Sequence, residues 1–394
     1  MKTKIIERFI YYSISSALNL FVPLYLYSLI IESIGESNFG EFIFMVFVAN
    51  LLWVVIDLNQ SITGTIDLKT KDSRGVIKKV ISLRFIISFL FLPLYLFYFS
   101  DFPLLSILIY SSLIARAFNI TFFFIFKNKE KQIAVVNLIV KAVSLTALLY
   151  FFTVNEKTYA TFLVVNEVAV SLIFLAYGPK WETVDILGFK PIKHQFKRTL
   201  SSGVTNIVSA GYSFVPVFTI QAILGPKYLA MFAVLEKIFR GVSNLSAPIN
   251  QILLTSSKNK SKKNHFFPKS FWTFFAMLVT LTALILILKN QILFFFDFSN
   301  DIEIYTPFTI SLLIPIIVFF SRYFFINVIL LNNKDSLLPR AYFITLFSSI
   351  ILNILLVYAF NLQLLGVILA IVLTELTCCL ILLRISLKRN YAPI

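Results

Sequence analysis

The chain has 394 residues, of which 58% are hydrophobic and 14% charged, with a mean hydropathy of +0.86. That balance excludes a soluble globular domain, in which charged residues make up about a quarter of the chain. The net charge of +16 fits a nucleic-acid binder only if its positions allow it.

Apolar runs of about 20 residues, the length a helix needs to cross a bilayer, recur along the whole chain. Twelve spans are expected, at 9–31, 41–65, 80–99, 104–126, 133–152, 159–177, 203–223, 230–254, 270–288, 306–330, 341–360 and 364–384. The lead "MKTKIIER" resembles the basic start of a signal peptide. The apolar run after it is too long and lacks a small-residue cleavage site, so it reads as a span. The segments 1–8, 66–79, 127–132, 178–202, 255–269, 331–340 and 385–394 carry 25 of the 35 Lys and Arg residues. Loops on the other side carry only Lys157, Lys227 and Lys289. By the positive-inside rule both termini are cytoplasmic. The charge is thus a topology signal, and no nucleic acid is expected as a partner.

Loop 178–202, "GPKWETVDILGFKPIKHQFKRTLSS", separates six spans from six. This predicts an N-terminal bundle over 1–177, a cytoplasmic linker over 178–202 and a C-terminal bundle over 203–394. The linker mixes basic and apolar residues, as an interfacial amphipathic helix does. The largest external segment, 289–305, is too short for a catalytic domain, and the chain is not expected to be an enzyme. Cys378 and Cys379 are adjacent in one apolar run and read as packing residues. His194 and His265 lie in basic loops far from any cysteine, so neither a metal site nor a cofactor is expected.

The halves echo each other. "FVP" occurs at Phe21–Pro23 and at Phe214–Pro216, in the first span of each half. Each copy is followed by a Gly and then an aromatic: Gly35 with Phe39, and Gly225 with Tyr228. Two six-span halves that both start in the cytoplasm are parallel repeats, related by a pseudo-two-fold axis along the membrane normal. The fold class is an all-α integral membrane protein of about twelve helices in two six-helix bundles. Such an arrangement describes a transporter with a midplane site.

Ionisable residues interrupt these spans. The basic ones are Arg84, Arg116, Lys141, Lys237, Arg240 and Arg322, with Arg384 at a helix end; the acidic ones are Asp57, Glu167, Glu236 and Glu375. A charge at the centre of a spanning helix costs about 2.5–3.5 kcal/mol on insertion scales. Arg84 is close enough to the start of its predicted helix to snorkel. Arg116, Arg240 and Glu375 are about 15 Å or more inside theirs, at a rise of about 1.5 Å per residue. Glu236 and Arg240, four apart, can pair along one face. Six basic residues against four acids predict a net-cationic cavity that attracts an anion, with Arg supplying a fork that suits phosphate. Arg116, Lys141, Lys237, Arg240 and Arg322 are the expected substrate-binding residues. The chain carries no GxxxxGK[ST] motif, so an ion gradient is the expected driving force, with Glu375, Glu167 or Asp57 as the carrier carboxylate.

"IGESNFGEFIFMVFVANLLWVVIDLNQSITGT" (34–65) resembles the Gly–aromatic–Gly entry and Asp-containing end of the second helix in polysaccharide-biosynthesis flippases. "LGPKYLAMFAVLEKIFRGVSNLSAPINQILL" (224–254) resembles their eighth helix, through Gly225, Tyr228, Glu236, Lys237 and Pro248. "FKRTLSSG" (196–203) resembles the basic lead into their seventh. The chain departs from the pattern at Asn59–Gln60, where small glycines are usual, and in "QILLTSS", which lacks a usual proline. The resemblance is to Wzx-type O-antigen flippases, within the multidrug, oligosaccharidyl-lipid and polysaccharide exporter (MOP) superfamily. It implies transport of an undecaprenyl-pyrophosphate-linked oligosaccharide across a bacterial inner membrane, by a monomer embedded in the lipid bilayer. An O-antigen polymerase and a chain-length regulator are the protein partners it suggests.

Three rival readings fit the sequence less well. A membrane polymerase or glycosyltransferase tends to need a larger external loop. A cationic-drug exporter would want acidic groups in its cavity. A lipid II flippase would, by resemblance, carry two additional helices.

Overall fold

The computed structural model describes residues 2–68, 72–127, 129–179, 189–244, 269–299, 301–325 and 337–387. Pro248, the rest of the eighth span beyond 244, the lysine loop up to 268, residues 180–188 of the linker and residues 326–336 lie outside the described residues. Among the described residues every regular element is a helix, and there is no strand. Ten helical stretches are long and apolar enough to cross a membrane, and a pair bent by 62° (Phe271–Ile287 with Lys289–Phe295) makes an eleventh. The protein is a multi-pass, all-α membrane protein.

Its outer faces are what a bilayer requires. On helix α4 (Ser73–Tyr98), Leu90, Leu94 and Phe97 are each more than 60% exposed. Apolar residues at i, i+4 and i+7 on an open face belong against lipid.

Packing divides the chain into two compact units, Met1–Gly40 with Gly211–Ile394, and Glu41–Ala210. In the first unit, Phe271, Phe319, Tyr323, Val242, Cys378 and Leu382 form an aromatic-rich core, with the Phe271 and Tyr323 rings 4.6 Å apart. In the second, Ile77, Val80, Ile120, Phe124 and Phe174 pack together.

The two "FVP" segments occupy matching local geometry. Helix α1 (Lys2–Ile34) contains Pro23 and ends at Gly35, which has φ +80° and donates its N–H to the Ile31 carbonyl at 2.8 Å. Helix α2 (Glu36–Asp57) starts immediately afterwards. Helix α9 (Phe189–Thr219) contains Pro216, widens into a π-helical turn over Ile220–Leu224, and stops at Gly225 with φ +90°. Helix α10 (Pro226–Asn244) then begins, with proline at its first position. A left-handed residue reverses the chain without a Cβ penalty only when it is glycine. The two spans therefore turn the same way for the same reason.

Pro216 also has a local cost. It offers no N–H, so the carbonyl one turn earlier loses its helical partner. The Tyr212 carbonyl accepts from buried Ser349 Oγ at 3.1 Å instead, and the neighbouring Ser213 carbonyl lies 3.4 Å from Arg240 Nη2.

Candidate functional site

The predicted intramembrane charges are divided between the two units. In the unit of residues 41–210, two predicted spans are broken. The second predicted span stops at Asp57, passes through Leu58 and Asn59 at φ +43° and +60°, and resumes as α3 (Gln60–Asp67). The left-handed conformation costs a non-glycine residue roughly 1–2 kcal/mol. The fourth span is likewise split, into α5 (Pro103–Ala117) and α6 (Thr121–Phe126).

Arg84 on α4 meets both breaks. Its Nε and Nη2 donate to Asp57 Oδ1 at 2.9 and 2.5 Å, Nη2 also to Ser61 Oγ at 2.8 Å, and Nη1 to the Asn119 carbonyl at 2.9 Å. Ser61 Oγ donates to Asp57 in turn, at 3.2 Å. Arg84 therefore does not snorkel: it is 1% exposed. Its helix begins at Ser73, which puts it about 16 Å inside at helical rise. Burial is tolerable because the charge is matched and the donors are satisfied. Asp57, a carrier candidate, is the counter-ion.

Arg116 sits in the last turn of α5, which ends at Ala117, so it lies both at a helix end and in the middle of the broken span Pro103–Phe126. A cation there is favoured by the helix dipole. Its guanidinium lies 4.8 Å from the centre of the Trp53 ring, and Nε is 4.0 Å from Glu167 Oε1 on α8 (Glu156–Tyr177). A direct charge-assisted hydrogen bond is about 2.7–2.9 Å, so this ion pair is loose. Lys141 is half-buried midway along α7 (Glu130–Phe151).

In the other unit, Arg240 Nε lies 2.5 Å from Glu236 Oε1. This is the i,i+4 pair that the sequence spacing allows. Lys237 lies beneath the Tyr27 ring of α1, 5.9 Å from its centre. Arg322 is in the last turn of a short helix (Leu313–Tyr323); its Nη1 donates to the Ser243 carbonyl at 2.6 Å and Nη2 to Asn244 Oδ1 at 3.1 Å. Glu375, on the helix Gln363–Leu387, has Arg240, Arg322 and the Tyr212 hydroxyl as its electrostatic neighbours. Of the ionisable residues predicted at depth, this unit thus holds Lys237, Arg240 and Arg322 with Glu236 and Glu375, and Arg240 and Arg322 are the ones that neighbour Glu375.

Sequence reasoning missed several polar residues here. Thr345, Ser349 and Asn353 are each no more than 1% exposed and recur every four residues along the helix Leu338–Asn353. Tyr212 was also missed. The four-residue polar spacing was the available signal for that stripe.

At the end of this unit where α10 starts, Lys227 Nζ lies 2.8 Å from Asp301 Oδ1 and 3.4 Å from Glu36 Oε2. The Tyr228 hydroxyl donates to Glu303 Oε2 at 2.7 Å. The Asp301 hydrogen bond holds the Lys227 ammonium above the usual lysine range, and the Glu303 contact is the main cause pushing the Tyr228 phenol up to about 12.

No protein-family model matches the sequence, and no curated protein matches it. Among solved structures, the chain is similar to the lipid II flippase MurJ in its inward closed conformation. The identity is 15% over 96% of this chain and 87% of that one, with a TM-score of 0.71. It is similar to an inward-facing multidrug resistance MATE transporter of the MOP superfamily, at 15% identity over 98% and 96% with a TM-score of 0.62. A third likeness is to a MOP superfamily transporter from Pyrococcus furiosus, described as having a binding pocket of reversed polarity. There the identity is 12% over 99% and 97%, with a TM-score of 0.58. The chain has the fold of these transporters.

Proposed function

We propose that the protein is a flippase that moves an undecaprenyl-pyrophosphate-linked oligosaccharide, an O-antigen repeat unit, from the cytoplasmic to the periplasmic leaflet of a bacterial inner membrane. Both termini are cytoplasmic in this reading, and the chain is a transporter and not an enzyme. The observation that carries it is that, among the described residues, the cations Lys237, Arg240 and Arg322 face only the carboxylates Glu236 and Glu375, with Arg240 and Arg322 the neighbours of Glu375. A group with net positive charge inside a bilayer is costly unless an anion is its purpose. Pyrophosphate suits it, because guanidinium forks match phosphate oxygens. The fold of a lipid II flippase supports a lipid-borne cargo, whose hydrocarbon tail can stay in the bilayer while the head group crosses. Alternating access would come from rocking of two six-helix halves, 1–177 and 203–394, joined by 178–202. An O-antigen polymerase and a chain-length regulator are the proposed downstream partners of a monomer.

Arg116, Lys141, Arg240 and Arg322, each changed to Ala, are expected to lower flipping of the lipid-linked glycan in proteoliposomes about tenfold or more, at equal insertion. Arg→Lys at Arg116 or Arg240 is expected to retain more activity than Ala, because the charge survives and the fork does not. Normal flipping by all four Ala variants would sink the reading.

The proposed driving force is an ion gradient acting on a carboxylate. Asp57 is committed to Arg84, which leaves Glu375 ahead of Glu167. Glu375→Gln is expected to abolish the response of flipping to an imposed pH or sodium gradient. Full gradient dependence in that variant would make Glu375 a structural counter-ion to Arg240 and Arg322.

A further inference from the structure

Arg84 touches the ends of two broken helices, and each of those ends leads directly to one partner in the Trp53–Arg116 contact. Trp53 is four residues before Asp57 on α2, hence on the same helix face one turn earlier. Asn119, whose carbonyl Arg84 holds at 2.9 Å, donates its own N–H to the Arg116 carbonyl at 3.0 Å. The Arg84 guanidinium is itself 5.5 Å from the Trp53 ring centre, and that of Arg116 is 4.8 Å from it. We propose that Arg84 is a positioning residue for Arg116: by fixing Asp57 and the Asn119 carbonyl together, it sets the Trp53 face on which the Arg116 guanidinium rests.

Two features separate this from a purely structural ion pair. An internal counter-ion needs only Asp57, yet Arg84 spends a third nitrogen on a backbone carbonyl at the second break. Arg116, by contrast, is left partly open. Its side chain is 36% exposed, its Glu167 partner stands at 4.0 Å, and the Trp53 face orients it without consuming its N–H donors. A guanidinium held by its face and free at its edge can bind a phosphate. That last step rests on the pyrophosphate reading above; the positioning itself does not.

The experiment uses the full chain in lipid nanodiscs with Trp181→Phe and Trp272→Phe, which makes Trp53 the sole tryptophan. Arg84→Met with Asp57→Leu removes both members of the pair, so that no charge is left buried without its counter-ion. Arg116→Ala is made in the parent and in this paired variant, and Trp53 emission is measured in all four. The expected result is that Arg116→Ala shifts the emission in the parent and has no further effect in the paired variant, a non-additive cycle. An equal shift in both backgrounds overturns the proposal. Should the paired variant fail to accumulate, Arg84→Lys replaces it, since an ammonium can hold Asp57 but does not reproduce the fork that also reaches Asn119.

Binding of undecaprenyl pyrophosphate to the same four proteins tests the consequence. The paired variant and Arg116→Ala are each expected to weaken it about tenfold, and their combination by no more than either alone. A non-additive emission cycle with unchanged binding in all four leaves Arg84 as the positioning residue and removes Arg116 from the substrate site. Binding losses that multiply in the combination overturn the proposal.

Discussion

Asp57→Leu alone is expected to destabilise the protein by about 3–5 kcal/mol, the usual cost of stranding a buried charge. Arg84 is 1% exposed and cannot reach water when its carboxylate is lost. Ser61 Oγ and the Asn119 carbonyl would remain as neutral partners, and neutral acceptors do not cancel a full charge. Losing the pair together is a milder change, because apolar replacement of both members of a buried pair is often close to neutral. The measurement is the temperature at which half of the detergent-solubilised protein stops eluting as a single species. The Asp57→Leu midpoint should fall by on the order of 10 °C, and adding Arg84→Met should recover most of it. A midpoint within 2–3 °C of the parent for Asp57→Leu, about the effect of 1 kcal/mol, would mean that the charge is not sealed from solvent.

Gly40→Ala is expected to be nearly as damaging, for a reason unrelated to charge. A Cβ added at Gly40 would overlap the carbonyl oxygen of Pro226 and would come within 2.9 Å of the Pro226 Cα. These are backbone atoms, so no rotamer change relieves the clash. The start of α2 would have to move away from the start of α10. Overpacking a well-filled site costs roughly 1–3 kcal/mol where side chains can yield, and here the cost should lie at or above the top of that range. Gly211→Ala supplies the contrast, since its Cβ would meet only the Leu346 side chain at 3.6 Å. There the gain in helix propensity, up to about 1 kcal/mol, should leave stability unchanged or raised. Equal midpoints for the two variants would show that Gly40 and Pro226 are further apart than this.

Much of the fold was legible because hydropathy acts over whole segments. The apolar runs became membrane helices, and the "FVP" and glycine echoes became matched turns at Gly35 and Gly225. The breaks at 58–59 and 118–120 were not legible. Neither contains Gly or Pro, and the left-handed φ values at Leu58 and Asn59 sit beside a contact between Asp57 and Arg84 on α4, far away in the sequence. The site divided in the same way. Glu236 with Arg240 was visible as an i,i+4 spacing, whereas Arg84 with Asp57 joins residues 27 apart. Depth along a predicted span misled for Arg84, which proved deeper than its span suggested, whereas Arg116 kept its mid-span depth but gained a helix end beside it.

The contacts around Lys227 have a consequence for rates. Its side chain is 46% exposed, and exposed ion pairs of this kind contribute about 0.2–1 kcal/mol each. At 1.36 kcal/mol per factor of ten, two such pairs slow the parting of the α10 start from Glu36 and Asp301 by about thirtyfold at most. Thermal motion crosses a barrier increment of that size readily. Added salt should shrink it further, because charges open to water are screened within about 8 Å at physiological ionic strength. The Arg84 node has no such exposure. The start of α10 is thus held by contacts that water and salt can loosen, while Arg84 and Asp57 in the other unit are held by a contact that water hardly reaches.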